Sequence, residues 1–309
     1  MKYVSKKDIS MSVFSLGTVQ LGTSYGIVGK TEKPTEEYAH EILNAAMASG
    51  VNMLDTANNY GDSERVIGSW LKTYTGEKPL IVTKIGRFDH SSKEALRADI
   101  RAQTEACLKS LGVDTIDILM AHYYWDYIQD PEVVKEEFAR LKKEGLARLT
   151  AISLYSEDDY HVIAGAGFDA VQIPLNIFDQ ERILDGGIKA MADAGMAIFT
   201  RSVFLQGLVF MDPENLMPHM SFLKDTLVKF RALAKEFDMA PEVLAVSYVL
   251  SVEGVSSVVL GCQTPEQIKA NADMVDKARR LTDTEMKKIA EAFKDIDRSI
   301  IDPRNWPKA

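Results

Sequence analysis

Along the chain, short runs of aliphatic and β-branched residues alternate with longer segments whose apolar positions recur at helical spacing. This is the pattern of βα units wound around a parallel sheet. Eight apolar runs read as strands: residues 13–18, 52–56, 80–85, 116–122, 149–154, 170–175, 196–202 and 257–261. Helical periodicity covers residues 35–49, 63–71, 93–111, 131–143, 187–194, 223–237 and 265–272. The punctuation agrees: Thr35 after Pro34, Asp130-Pro131 and Thr264-Pro265 suit helix starts, and Gly50, Gly112, Gly145 and Gly195 suit helix ends. No Ser/Gly/Pro-rich linker or low-complexity stretch interrupts the repeat. The pattern predicts one domain over residues 1–309, an α/β chain folded as a (β/α)8 TIM barrel. Residues before Val13 are expected to form a short hairpin closing the barrel bottom, and the tail from Thr282 to lie over the outside or near the mouth. The longest gap, residues 208–220 with two prolines, predicts a mobile loop on the top face.

Composition narrows the functional classes. With 46% hydrophobic and 26% charged residues, 309 residues can bury a substantial core without disulfide or metal staples. The segment MKYVSKKDISMSVF has no apolar signal core, and no run approaches the roughly 18 apolar residues of a membrane span. A cytoplasmic, non-membrane protein is the expectation. Cys107 and Cys262 lie far apart, which suits a reducing compartment and offers no metal-ligand spacing. A net charge of -9 argues against a nucleic-acid partner. Lys142-Lys143 and Arg279-Arg280 read as solvated helix faces, and a monomer or small homo-oligomer is expected.

Catalytic groups of such barrels sit at the C-terminal ends of the strands. Strand two ends in Asp55-Thr56-Ala57 followed by Asn58-Asn59-Tyr60-Gly61, strand three in Thr83-Lys84, and strand four in Ala121-His122. Singly, each has a structural explanation: a capping Asp, a surface Tyr, a snorkelling Lys, a satisfied His. An Asp, a Lys and a His ending consecutive apolar strands would each need a separate excuse for costly burial. Together they suggest a site. A phenol titrates near ~10, so Tyr60 becomes a useful acid only beside a cation, and Lys84 is that cation. Asp55 would keep the ammonium charged and oriented, and His122 would assist at a substrate carbonyl or relay the proton.

The segment LDTANNYG, with Lys84 and His122 downstream, resembles the aldo-keto reductase family, whose Asp-Thr-Ala-x-x-Tyr-Gly signature it matches. The likeness runs from Leu16 to Asn271. It implies hydride transfer between NAD(P)H and an aldehyde or ketone carbonyl, with Tyr60 as proton donor of a tetrad completed by Asp55, Lys84 and His122. It further implies cofactor contacts from Gly17, Thr18 and Val19 after strand one, Asp55, Ser153 after strand five and Gln172 on strand six. Arg201, Ser202, Phe204, Gln206 and Gly207 would follow over the pyrophosphate, and Gly261, Gln263, Gln267 and Asn271 would hold the adenosine end. Leu154 stands where the family has Asn, and Arg201 where it has an aromatic residue stacked on the nicotinamide. The family's NADP(H) preference uses Lys or Arg around a 2′-phosphate, where this chain has Gly261, Gln263 and Gln267; NAD(H) is therefore also an expectation.

Tyr25, Trp125 and the more distant Trp306 are candidate substrate-pocket walls, each as readily a core or surface aromatic. With Arg201, Asn58 and Asn59 they would suit a polar, sugar-like carbonyl. Gly165-Ala166-Gly167-Phe168-Asp169-Ala170 scans as a dinucleotide fingerprint but ends a helix instead of opening one, so it carries no site. Two other readings stay open: a cofactor-binding regulatory or sensing subunit with little turnover, and a barrel hydrolase or isomerase using Asp55 and His122.

Overall fold

The computed structural model describes residues 1–24 and 32–307. A two-stranded antiparallel hairpin, β1 (Tyr3–Lys6) and β2 (Ile9–Ser12), precedes eight parallel strands. These are β3 (Phe14–Gly17), β4 (Met53–Asp55), β5 (Leu80–Ile85), β6 (Ile116–Ala121), β7 (Ala147–Ser153), β8 (Ala170–Pro174), β9 (Ala197–Arg201) and β10 (Val255–Gly261). They close in chain order, with β10 pairing β3, into a (β/α)8 barrel.

Alternation along each strand sorts the side chains into two cores. Leu54, Ile81, Leu119, Ile152, Val171 and Ile198 point outward and join the buried faces of the surrounding helices. Met53, Val82, Ile118, Met120, Leu149, Ala151, Ala170, Ala197 and Phe199 fill the barrel interior. Ile9 and Met11 of the hairpin belong to this interior cluster, so β2 plugs the bottom. Polar atoms lock the plug: Ser12 N–H donates to Asn52 Oδ1 at 2.7 Å, Asn52 Nδ2 to Ser10 O at 3.0 Å, and Ser257 Oγ to Ser12 O at 2.8 Å.

The helix signals act mostly as expected. Thr35 and Thr264 accept from the amides of Tyr38 and Gln267 at the starts of Glu36–Ala48 and Pro265–Lys277. Gly112 ends Lys93–Leu111 in the left-handed conformation. Asp130 makes no cap; its carboxylate engages His90 Nδ1 at 2.8 Å instead. The periodicity failed to reveal the helix Pro241–Ser251, because it is apolar on nearly every side and buried without a break from Val243 to Val249, leaving no stripe to detect. Within residues 208–220, expected as a mobile loop, Leu208, Val209 and Met220 are buried, and the 3-10 turns Leu205–Phe210 and Pro218–Leu223 form its two ends.

Beyond the helix Asp283–Phe293, with its Thr282/Glu285 capping box, the tail crosses the mouth. Arg298 pairs with Glu181 after β8, and Arg304 with Glu157 after β7. Among the described residues, no helix is long and apolar enough to cross a membrane.

The plug has a measurable weight. Met11 is fully buried, so Met11→Ala should lower the unfolding free energy by about 2–5 kcal/mol, the usual cost of such a cavity. Denaturant titration checks this; a loss under ~1 kcal/mol would mean that β2 lies over the barrel without filling it.

Candidate active site

The alternation that fills the barrel also aims its top layer. Asp55 follows Met53 by two on β4, Lys84 follows Val82 on β5, and His122 follows Met120 past the end of β6. Gln172 follows Ala170 on β8, and Arg201 follows Phe199 on β9. Each is the next inward position, so five polar side chains converge where the apolar filling stops.

Lys84 is completely buried. Its Nζ donates to Asp55 Oδ2 at 2.7 Å and to Thr56 O at 2.9 Å, and it shares a hydrogen bond with Tyr60. Burial opposes the ammonium charge, but the Asp55 carboxylate and the Tyr60 phenol outweigh it, so its pKa lies above the ordinary lysine value. The other Asp55 oxygen accepts from Gln172 Nε2 at 2.7 Å. The ammonium stands 5.0 Å from the Tyr60 ring centre, and the His122 ring meets that phenol edge-on at 5.9 Å. His122 is pushed down to about 3 by burial and then by the charges of Lys84, Arg201 and Arg87, so its imidazole is neutral across the working pH range. Its Nδ1 has no partner among the described residues.

Tyr60 sits on a short turn held from several sides. Asn58 N–H donates to Lys84 O at 3.0 Å, while Asn58 Nδ2 reaches Gln103 Oε1 at 2.9 Å. Asn59 Nδ2 donates to the Tyr123 hydroxyl at 2.9 Å. Below the turn, Gly22 leaves no room for a side chain, since a Cβ there would fall on the Tyr60 carbonyl and the Ser63 amide. Gly61, at φ +57, faces Gly22 in the same way. These glycines let the segment after β3 seat directly against the turn that carries the phenol.

From Tyr60 a cleft of about 610 Å³ runs across the ends of β8, β9, β10 and β3. The structure brings to its walls Gly17, Thr18, Val19, Asp55, Gln172, Arg201, Ser202, Phe204, Gln206, Gly207, Gly261, Gln263, Gln267 and Asn271. Its size and mixture of glycine backbone and neutral amides fit an extended dinucleotide. Gly261 is a cradle that a Cβ would fill, because such an atom would strike the Gln20 amide. The segment over the cleft is strained: Ser202, Leu205 and Gln206 all have positive φ, a cost typical of ligand clamps. Asn271 Nδ2 leans on Cys262 Sγ at 3.2 Å, and Gln267 Oε1 accepts from Gln263 N–H at 2.7 Å.

Other expected positions lie elsewhere. Ser153 is buried beside Gln172 in the β7–β8 register but does not line the cleft. Trp125 is 67% exposed and outside the cleft, and Trp306 is buried in the tail with Nε1 donating to Ile300 O. Tyr25 lies outside the described residues. Wall residues that the sequence reading passed over include Gln20, Val203 and Phe210. Gln20 was visible as a polar residue two past Thr18. Its Oε1 is buried without a hydrogen-bond partner among the described residues. Arg201 donates to Leu154 O at 3.0 Å and lies 4.6 Å from the Tyr155 ring, while Arg304 of the tail lies 4.5 Å from the same ring.

Comparison with known proteins agrees with this geometry. A profile described as the Aldo/keto reductase family matches residues 14–294. The NADH-specific methylglyoxal reductase of Escherichia coli is 24% identical, over 93% of this chain and 97% of that one. A D-threo-aldose 1-dehydrogenase from Pseudomonas is 25% identical over 87% and 93%. An aldo-keto reductase of Bacillus halodurans, solved in its holo form, superposes with a TM-score of 0.74 at 24% identity, covering 98% of this chain and all of that one. The chain therefore belongs to the aldo/keto reductase family and is an NAD(P)H-dependent oxidoreductase.

Proposed function

We propose that the protein reduces the carbonyl of a small aldehyde or ketone with Tyr60 as proton donor, and that it uses NADH at least as well as NADPH. The observation that carries the first part is the buried ammonium of Lys84, fixed 2.7 Å from Asp55 and hydrogen-bonded to the phenol at the floor of the cleft. The bound nicotinamide supplies or accepts the hydride. The protein's own task is to hold a carbonyl beside Tyr60 and to deliver a proton to its oxygen. A phenol is a weak acid in water, at about 10, and an adjacent ammonium eases its proton release by favouring the phenolate. Asp55 keeps that ammonium charged, and neutral His122 can donate a hydrogen bond to the carbonyl oxygen without adding charge.

Gly17, Thr18, Val19, Gln172, Ser202, Gln206 and Gly207 would hold the cofactor's nicotinamide and pyrophosphate portions, with Gly261, Gln263, Gln267 and Asn271 at the adenosine. Among the described residues, Arg201 is the one cation lining the cleft, and it stands at the nicotinamide end. A 2′-phosphate would meet amides and backbone where a charge-assisted clamp is needed. This supports NADH.

Replacement Tyr60→Phe should cut kcat/KM by about 10²–10⁴-fold, the usual weight of a positioned acid, with cofactor affinity nearly unchanged. Equal loss of binding and turnover would contradict the assigned role. Titration of NADH and NADPH against intrinsic fluorescence should give comparable or tighter NADH binding; a strong NADPH preference would refute the reading of the adenosine end. His122 also links stability to pH. Its folded value of about 3 lies below the unfolded value of ~6.5, so its contribution is complete above ~6.5 and is lost progressively as pH falls toward 3. Denaturation curves between these limits should lose part of their pH slope in His122→Asn, and an unchanged slope would exclude the neutral buried imidazole.

A further inference from the structure

We propose that the substrate carries an anionic group, a carboxylate or phosphate, received by the guanidinium groups of Arg87 and Arg201 at the mouth above His122. The proposal rests on the carbonyl-reduction reading and adds the class of carbonyl compound.

Arg87 lies three residues after Lys84, where the chain leaves β5. Its backbone is in the left-handed region at φ 58, an expensive conformation for a residue with a Cβ. The Asp126 carboxylate pins it there by accepting its N–H at 2.5 Å. Its guanidinium consequently lies 5.5 Å from the Tyr123 ring centre, and that ring stacks on His122 at 4.6 Å and 20°. Tyr123 cannot easily shift: Asn59 holds its hydroxyl, and it packs on Gly86, where a Cβ would come within 2.6 Å of the ring. Arg201 enters from the opposite wall, at the end of β9. Its guanidinium is steadied by Leu154 O and by the face of Tyr155.

Most arginines of this chain pair with a carboxylate, yet among the described residues neither Arg87 nor Arg201 has one within ion-pair distance. The acids near them make other bonds: Asp302, on which the charge of Arg201 also acts, pairs with Arg304 at 2.8 Å. Asp126 accepts the Arg87 amide and Asp158 accepts the Tyr155 amide at 2.7 Å. Burial pushes both of these carboxyls upward from the ordinary aspartate value. Two guanidinium groups are thus held on aromatic rings with no carboxylate in ion-pair contact among the described residues, and their field, with that of Lys84, reaches His122. A neutral sugar-like substrate gains nothing from such a field. An anion gains charge-assisted, bidentate hydrogen bonds from a planar donor set.

The test uses the full chain with NADH or NADPH and two matched pairs of aldehydes: D-glyceraldehyde 3-phosphate against D-glyceraldehyde, and 4-oxobutanoate against butanal. The expected result is a kcat/KM at least about tenfold higher for the anionic member of one or both pairs, shrinking in 0.5 M KCl as the charges are screened. The pair that shows it distinguishes phosphate from carboxylate. Arg87→Gln should lower the anionic-to-neutral ratio at least about fivefold, with Arg87→Lys restoring part of it. Arg201→Gln should lower the same ratio, with cofactor affinity measured separately. Turnover of the neutral aldehydes with no preference for their anionic partners, or a ratio unmoved by both substitutions, overturns this inference alone. Absence of turnover on every member of the set overturns the carbonyl-reduction reading beneath it.

Discussion

An ammonium with no exposed surface sits at the centre of this barrel, and the arrangement of the site follows from keeping it charged. Removing such an ion from water costs several kcal/mol even after relaxation, and only close, well-oriented partners offset that. Lys84 has three: a carboxylate oxygen of Asp55, the carbonyl of Thr56 and the phenol of Tyr60. The carboxylate is tied down in turn, because Gln172 donates to its second oxygen from across the barrel. Three strands and a turn are thereby joined through one charge. Removing either member of the ion pair would leave the other buried and uncompensated, so the network is a constraint on the fold as much as a device for proton transfer.

That network was legible in the sequence because strand geometry is periodic. Once residues 52–56, 80–85 and 116–122 are read as strands, Asp55, Lys84 and His122 each end one, and alternation sends all three inward with the residues two before them. The barrel was legible for the same reason, with eight apolar runs separated by capped helices. What periodicity could not reveal was the helix Pro241–Ser251, where burial on every side erases the polar stripe, or the use of Asp130 as a partner for His90 in place of a cap.

The cleft was legible only in part. Gly17, Gln172 and Gly261 stand at strand ends or inward positions, which a strand assignment locates. Residues 202–207 follow no period; their shape comes from a run of left-handed residues that includes Leu205, which propensity would never place there. Gln20 matters because Gly261, some 240 positions away, lacks a Cβ. Contacts of that kind depend on closure of the barrel, with β10 against β3. Trp125 and Trp306, which lie outside the cleft, show a related limit: an aromatic side chain serves a core, a surface or a site equally well, and only packing distinguishes them.

The departures from the family pattern form a connected set. Where an aromatic residue would stack on the nicotinamide, Arg201 stacks on Tyr155 instead, and the carbonyl of Leu154 accepts its hydrogen bond. Tyr155 also carries Arg304 of the tail, which Glu157 and Asp302 neutralise. One phenol ring therefore lies against two guanidinium groups, one paired with carboxylates and one hydrogen-bonded to a carbonyl at the cleft. Two cations repel each other, and such an arrangement persists only if each is stabilised separately, by carboxylates on the tail side and by the ring quadrupole and a carbonyl on the cleft side. The tail thus joins the mouth through Arg304, held by Glu157 and Asp302, while Arg201, against the same ring, lines the cleft and meets what enters.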